Sequence, residues 1–142
     1  MALYSVSVRT TSLTVDQAAL EIYTPVSLGV RVWEIGIFQL TAGSAVYGLG
    51  RPRAQGVTPG GTSSFQAEQS TVDPAAKTVI ALSWATSPTS PLVYLRRACT
   101  NLATSGVVWM FPRGLYIPVS SSLVLWNITT GLASDVHIVI DE

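Results

Sequence analysis

Between Gly106 and Ile128 the chain reads Gly-Val-Val-Trp-Met-Phe-Pro-Arg-Gly-Leu-Tyr-Ile-Pro-Val-Ser-Ser-Ser-Leu-Val-Leu-Trp-Asn-Ile, and this stretch limits the possible folds more than any other. Aromatic and branched aliphatic residues recur at nearly every other position, interrupted by Pro112, Arg113-Gly114, Pro118 and Ser120-Ser121-Ser122. Such side chains suit a pleated, half-buried surface, and the breakers suit turns. The stretch therefore predicts two or three strands, with Pro112-Arg113-Gly114 at a tight corner between aromatic strands. Gly114 there either supplies a positive φ while Arg113 caps the turn, or the corner projects the guanidinium toward a partner carboxylate.

The same period-two pattern runs through the rest of the chain. Strands are expected at Leu3 to Val8, Ala19 to Tyr23, Leu28 to Leu40, Ala45 to Leu49, Thr78 to Trp84, Leu92 to Cys99 and Ser134 to Asp141. Asp16 and the residues after it also fit a short capped helix, but the alternation from Ala19 favours a strand. Part of residues 1–27 also fits an extended arm reaching a neighbour, which the pattern does not separate from strands. In Leu28 to Leu40, Trp33, Ile35 and Ile37 fall on one face and Val32, Glu34 and Phe38 on the other, which predicts a strand covered on both sides. Glu34 is then expected to pair with an arginine or to lie at an interface. With Thr129-Thr-Gly131 as a turn, the count is about nine or ten antiparallel strands at the spacing of sandwiches and jelly rolls, in one domain covering residues 1–142.

From Gly50 to Ala76 the periodicity disappears. A loop this long is uncommon in a compact domain unless it is mobile or functional. Read as a docking loop, it would anchor through Arg51, Arg53 and Phe65.

Composition narrows the function. Charged residues make up only 11% of the 142 residues against 48% hydrophobic, far below the roughly one-quarter charged content usual in soluble domains. Charge is depleted at interface cores, so a chain this poor in it points to assembly. The eight basic and eight acidic residues cancel, which leaves no electrostatic footprint for nucleic acid. Every basic residue but Lys77 is arginine, a bias that suits bidentate contacts. No apolar run approaches the ~20 residues of a membrane span, and the N-terminus lacks a signal-peptide pattern. Synthesis in a cytoplasm without an anchor is expected. Cys99 is the sole cysteine and reads as a buried, inert thiol.

Catalytic patterns are absent. His137 and Asp135 point to the same face of one strand, but no Gly-x-Ser-x-Gly elbow accompanies them, and a surface histidine is the simpler reading. The scattered carboxylates, Glu34 and Glu68 among them, select no glycosidase pair. There is no His-x-His, no cysteine pair and no calcium loop, so neither metal nor cofactor is expected. Trp33, Trp84, Trp109 and Trp126 all lie in apolar alternation and read as core.

Several segments carry a resemblance: Arg31-Val-Trp-Glu-Ile-Gly-Ile-Phe38, Gly48-Leu-Gly-Arg-Pro52, Leu95-Arg-Arg97, Val108 to Pro118, and Ser122-Leu-Val-Leu-Trp-Asn127. In these the chain resembles the decoration, or head cement, proteins of tailed bacteriophages. The resemblance implies a β-sandwich of jelly-roll type on the capsid exterior. It also implies a homotrimer that binds across the seams between major capsid protein subunits and stabilises the shell. Tail or baseplate structural proteins share such sandwiches, and a carbohydrate-binding jelly-roll module is the reading from another class.

Overall fold

The computed structural model describes residues 2–11, 15–129 and 131–142. The Ser12–Thr14 part of the first connection and Thr130 of the Thr129–Gly131 turn lie outside these. Among the described residues the chain is all-β, in antiparallel sheets. The strands are β1 (Leu3–Arg9), β2 (Gln17–Tyr23), β3 (Val30–Gln39), β4 (Ala45–Gly50), β5 (Val57–Gly60), β6 (Ser63–Ser64), β7 (Gln66–Ala67), β8 (Val79–Ala81), β9 (Ser83–Thr86), β10 (Tyr94–Thr100), β11 (Gly106–Ile117), β12 (Ser122–Asn127) and β13 (Ser134–Asp141). A five-stranded sheet runs β11-β3-β13-β1-β7, and a six-stranded sheet runs β10-β4-β12-β2-β8-β6. The two enclose one core, with Tyr4, Val32, Ile35, Ile37, Trp109, Ile117, Val136, Ile138 and Ile140 on one side. Leu20, Ile22, Tyr47, Leu49, Ile80, Leu123 and Leu125 meet them from the other. Ladders hold the N-terminal strands firmly: β1 pairs along β13, and β2 along β12. Leu3–Arg9 and Gln17–Tyr23 are thus built into the two sheets.

β3 departs from simple alternation. Val139 of β13 lies opposite Glu34, while the next residue, Ile140, lies opposite Val32, so Trp33 is an extra residue in the ladder. A bulge of this kind reverses which side chains face inward. Val32 therefore joins Ile35 and Ile37 in the core, and Trp33 is pushed out to a half-buried position. The outer face of β3 is not covered: Arg31 and Phe38 are exposed. The strand buried on both faces is instead β12. Leu123 and Leu125 point to the main core, while Val124 and Trp126 join Ala18 in a second cluster packed by Trp84, Tyr94 and Ile128.

A layer over this second cluster comes from the segment expected to be an irregular loop. After β4 the chain crosses the sheet's outer surface and pairs β5 with β9. It is held there by Glu21, a fully buried carboxylate that accepts hydrogen bonds from the Gly56 N–H at 3.1 Å and the Ser122 hydroxyl at 2.5 Å. Tyr23 donates to the Gly56 carbonyl at 2.8 Å. Burial, reinforced by Glu21, holds the Tyr23 phenol far above its ordinary range. Only glycine fits at position 56, because a Cβ would come 2.1 Å from Cδ1 of Trp84. The chain then places β6 beside β8 in one sheet and β7 beside β1 in the other. Phe65, between them, is 3% exposed and belongs to the main core. It is not an available docking anchor.

Candidate protein-docking edge

The two sheets stack so that their edge strands β10 and β11 come together along one side. Pro112-Arg113-Gly114 is not a corner between strands but a bulge inside β11. Met110 lies opposite Glu34 and Leu115 opposite Val32, so Phe111, Pro112, Arg113 and Gly114 face the single residue Trp33. Gly114 takes φ +67, where a side chain would be strained. The positive φ of one of the two readings is present, and the bulge leaves Arg113 exposed.

Six of the seven arginines gather around this side. Arg31 donates to the Arg113 carbonyl at 3.3 Å and stands over the Tyr116 ring, 5.5 Å from its centre. Arg51 donates to the Tyr116 carbonyl at 2.7 Å. Arg53 donates to the Ser90 carbonyl at 3.0 Å. Arg96 lies 5.5 Å from the centre of the Phe111 ring, and Arg97 lies 5.8 Å from that of Tyr94. All six, Arg113 included, are exposed. None forms an ion pair: among the described residues the arginine paired with a carboxylate is Arg9, with Asp135. Carbonyls and ring faces thus orient five of the six guanidiniums, Arg113 excepted, while leaving the charge of all six uncompensated. Pre-orientation of this kind lowers the entropy lost when a carboxylate is bound.

Apolar side chains lie between the charges. Leu92 and Val93 are 80% and 74% exposed, and Leu95, Met110, Tyr116 and Val119 are exposed as well. A shallow cleft of about 370 Å³ separates Arg96 from the β11 bulge. Another of about 360 Å³ lies between Arg51-Pro52-Arg53 and Leu92, Val93 and Leu95. Apolar pockets rimmed by arginine are what interface hot spots use.

Of the residues singled out from sequence, Arg51, Arg53 and Arg113 share this side and Phe65 does not. Arg31, Arg96 and Arg97 were not among them. The available signal for the last two was a pair of adjacent charges inside a strand, since neighbouring residues face opposite ways and both faces must then reach solvent. Cys99, expected to be buried, is exposed on the same strand.

The outer face of the five-stranded sheet holds the histidine. His137 Nε2 lies 2.6 Å from Glu34 Oε1, the ring stacks on Phe38 with centroids 5.9 Å apart, and both partners of the pair are about one-third exposed. Glu34 thus pairs with histidine and not arginine. Asp135 binds Arg9 at 2.7 and 3.0 Å instead of His137. That hydrogen-bonded pair holds the Asp135 carboxyl below its ordinary value. No Ser–His–Asp arrangement is assembled there among the described residues. Among the described residues no group of three His, Cys, Asp or Glu side chains is placed to hold a metal.

On the opposite sheet, a cleft of about 450 Å³ is lined by Asp16, Gln17, Ser83, Trp84, Ser87 and Trp126 among others. Trp126 donates its Nε1–H to Asp16 at 2.8 Å. Trp109 and Trp126 are buried as expected, but Trp84, like Trp33, is only half-buried.

Compared with known proteins, the chain matches no family model, no curated protein and no solved structure.

Proposed function

We propose that this chain is a structural virion protein that binds the outer surface of a phage capsid, as a homotrimer, and stabilises the shell by bridging major capsid protein subunits. The observation that carries the reading is the β10/β11 edge: six unpaired guanidiniums, five of them oriented by carbonyls or rings, interleaved with exposed apolar side chains. A partner surface bearing carboxylates would neutralise the charge and cover the apolar residues together. Trimerisation would multiply weak contacts, because the second and third become intramolecular once the first has formed.

A jelly roll is the topology we infer, and the strand order supports it. Taking β1, β2, β3, β4, β10, β11, β12 and β13 as first to eighth, one sheet runs sixth-third-eighth-first and the other fifth-fourth-seventh-second. Two interleaved Greek keys produce this order, an architecture used by capsid and lectin domains alike. Fold alone therefore does not choose between them.

The test is cosedimentation with empty phage shells, alongside shell melting and light scattering of the free protein. Wild-type protein should saturate the shells and raise their melting temperature, and free protein should approach three times 15.1 kDa. Arg113→Glu should weaken binding about tenfold or more, corresponding to ~1.4 kcal/mol. Absence of shell binding by the wild-type protein refutes the reading.

A glycan-binding role is the second reading, favoured by the half-exposed Trp84 beside the carboxylate, amide and hydroxyls of its cleft. Titration of tryptophan fluorescence with glucose, galactose, mannose and N-acetylglucosamine tests it. A saturable change that Trp84→Ala abolishes would support it, and none would remove it.

A further inference from the structure

We infer that β10 takes an extended acidic segment of the partner polypeptide as an added strand at the end of the six-stranded sheet. This rests on the docking reading above and names the element that docks. β10 is hydrogen-bonded into the sheet, among the described residues, through β4 alone. Among the described residues, no backbone hydrogen bond outside that ladder involves Tyr94–Thr100. Apart from the Leu95 carbonyl, which accepts from Arg96 Nη1 at 2.8 Å, one row of its N–H and C=O groups is therefore free to template another strand.

The other sheet ends are blunted. β6 and β7 each have two residues, too few to template a strand. β11 is long, but its bulge and Pro112 break the edge midway. β10 has an irregularity of its own between Tyr94 and Arg96, but beyond it Arg96–Thr100 pair in unbroken register without a proline, and the preceding Leu92 and Val93 stand out into solvent.

Charge selects the occupant. Arg96 and Arg97 are adjacent, so their side chains leave on opposite faces of the strand. Arg96 turns toward Phe111 and the β11 bulge, and Arg97 toward Tyr94 on the outer face. Two copies of β10 placed side by side would bring guanidiniums together on both faces, so the edge is guarded against its own kind. A strand carrying carboxylates on both faces would meet Arg96 and Arg113 on one side and Arg97 on the other. Apolar residues next to those carboxylates would cover Leu92, Val93 and Leu95.

The experiment uses the full chain and the capped peptide Val-Glu-Glu-Val-Asp-Glu-Val-Thr, with hydrogen exchange read by NMR. Controls are the same peptide with Gln and Asn replacing the acids, and a single-stranded oligothymidine carrying a similar number of charges. The acidic peptide should slow amide exchange within Tyr94–Thr100 by about tenfold or more. Its binding should weaken sharply at about 0.5 M salt. The double variant Arg96→Glu, Arg97→Glu should lose it while keeping the wild-type melting temperature, since both side chains are exposed. Binding without protection of these amides, equal binding of the neutral peptide, or tighter binding of the oligonucleotide overturns the inference. Shells that bind wild-type protein while the peptide protects nothing would refute strand addition and leave the docking reading standing. Shells that do not bind refute the docking reading itself.

Discussion

Replacing Phe65 by alanine separates two roles that the sequence leaves open. As a docking anchor on a loop, Phe65 would contribute nothing to stability. In the structure it sits where the chain passes from β6 in one sheet to β7 in the other, with its ring in the shared core. Ser64 pairs with Val79 on one side and Gln66 with Ser5 on the other, so the residue stitches the sheets together. Truncation removes the burial of a large apolar side chain, roughly 1.5–3 kcal/mol. A partly relaxed cavity adds to this, and Phe→Ala changes in cores cost about 3–5 kcal/mol in total. Flanking strands of two residues each can close in on the space, so the lower end, about 3 kcal/mol, is expected. At roughly 2–4 °C per kcal/mol for a domain of this size, the midpoint should fall by about 6–12 °C. Thermal unfolding followed by near-ultraviolet circular dichroism measures it directly. An unchanged midpoint, with weakened shell binding, would refute the core placement and restore the docking-anchor role. For the same reason, deleting Gly50–Ala76 should destroy the fold, because it removes Phe65 together with β5, β6 and β7.

Glu21→Ala should leave the Gly56 N–H and the Ser122 hydroxyl unsatisfied, at a cost of about 1–3 kcal/mol. The 50–60 segment should then detach, and faster trypsin cleavage after Arg53 would show it; an unchanged rate would refute the role of Glu21 as the clamp. Trp126→Ala should destabilise by ~3–5 kcal/mol in denaturant titration, and a near-neutral result would mean that the outer cluster with Val124 and Ala18 contributes little. The Asp135 carboxyl is depressed by its hydrogen bonds to Arg9, so the pair's small contribution is present above the ordinary carboxylate range. It is lost as pH falls through the depressed folded value. Arg9→Ala should return Asp135 toward its ordinary value in an NMR titration, and an unmoved titration would refute the assigned cause.

Much of the β architecture was legible because alternation is a local property. In β13, Val136, Ile138 and Ile140 share a face in any strand, and that face had to be buried. Where alternation failed as a guide, a contact distant in sequence decided the outcome. Trp33 belongs to an alternating run, yet pairing with β13 inserts it as an extra residue and turns it outward. Residues 50–76 have no period of their own, and their short strands exist because β8, β9 and β1 supply the ladder. The docking side was half legible. Arg51, Arg53 and Arg113 stand out beside turn residues, while Arg31, Arg96 and Arg97 join them only through the order of strands in the two sheets.

By itself the sequence determined that this chain forms strands and which side chains must leave water, since both follow from period and side-chain chemistry within a few residues. Only the tertiary structure decided which strands stand at the sheet edges. An edge differs from an interior strand solely in what lies beside it, and so the same Leu-Arg-Arg-Ala-Cys run could have stood between two other strands. Placed at the end of its sheet, it is an open row of backbone groups flanked by unpaired guanidiniums.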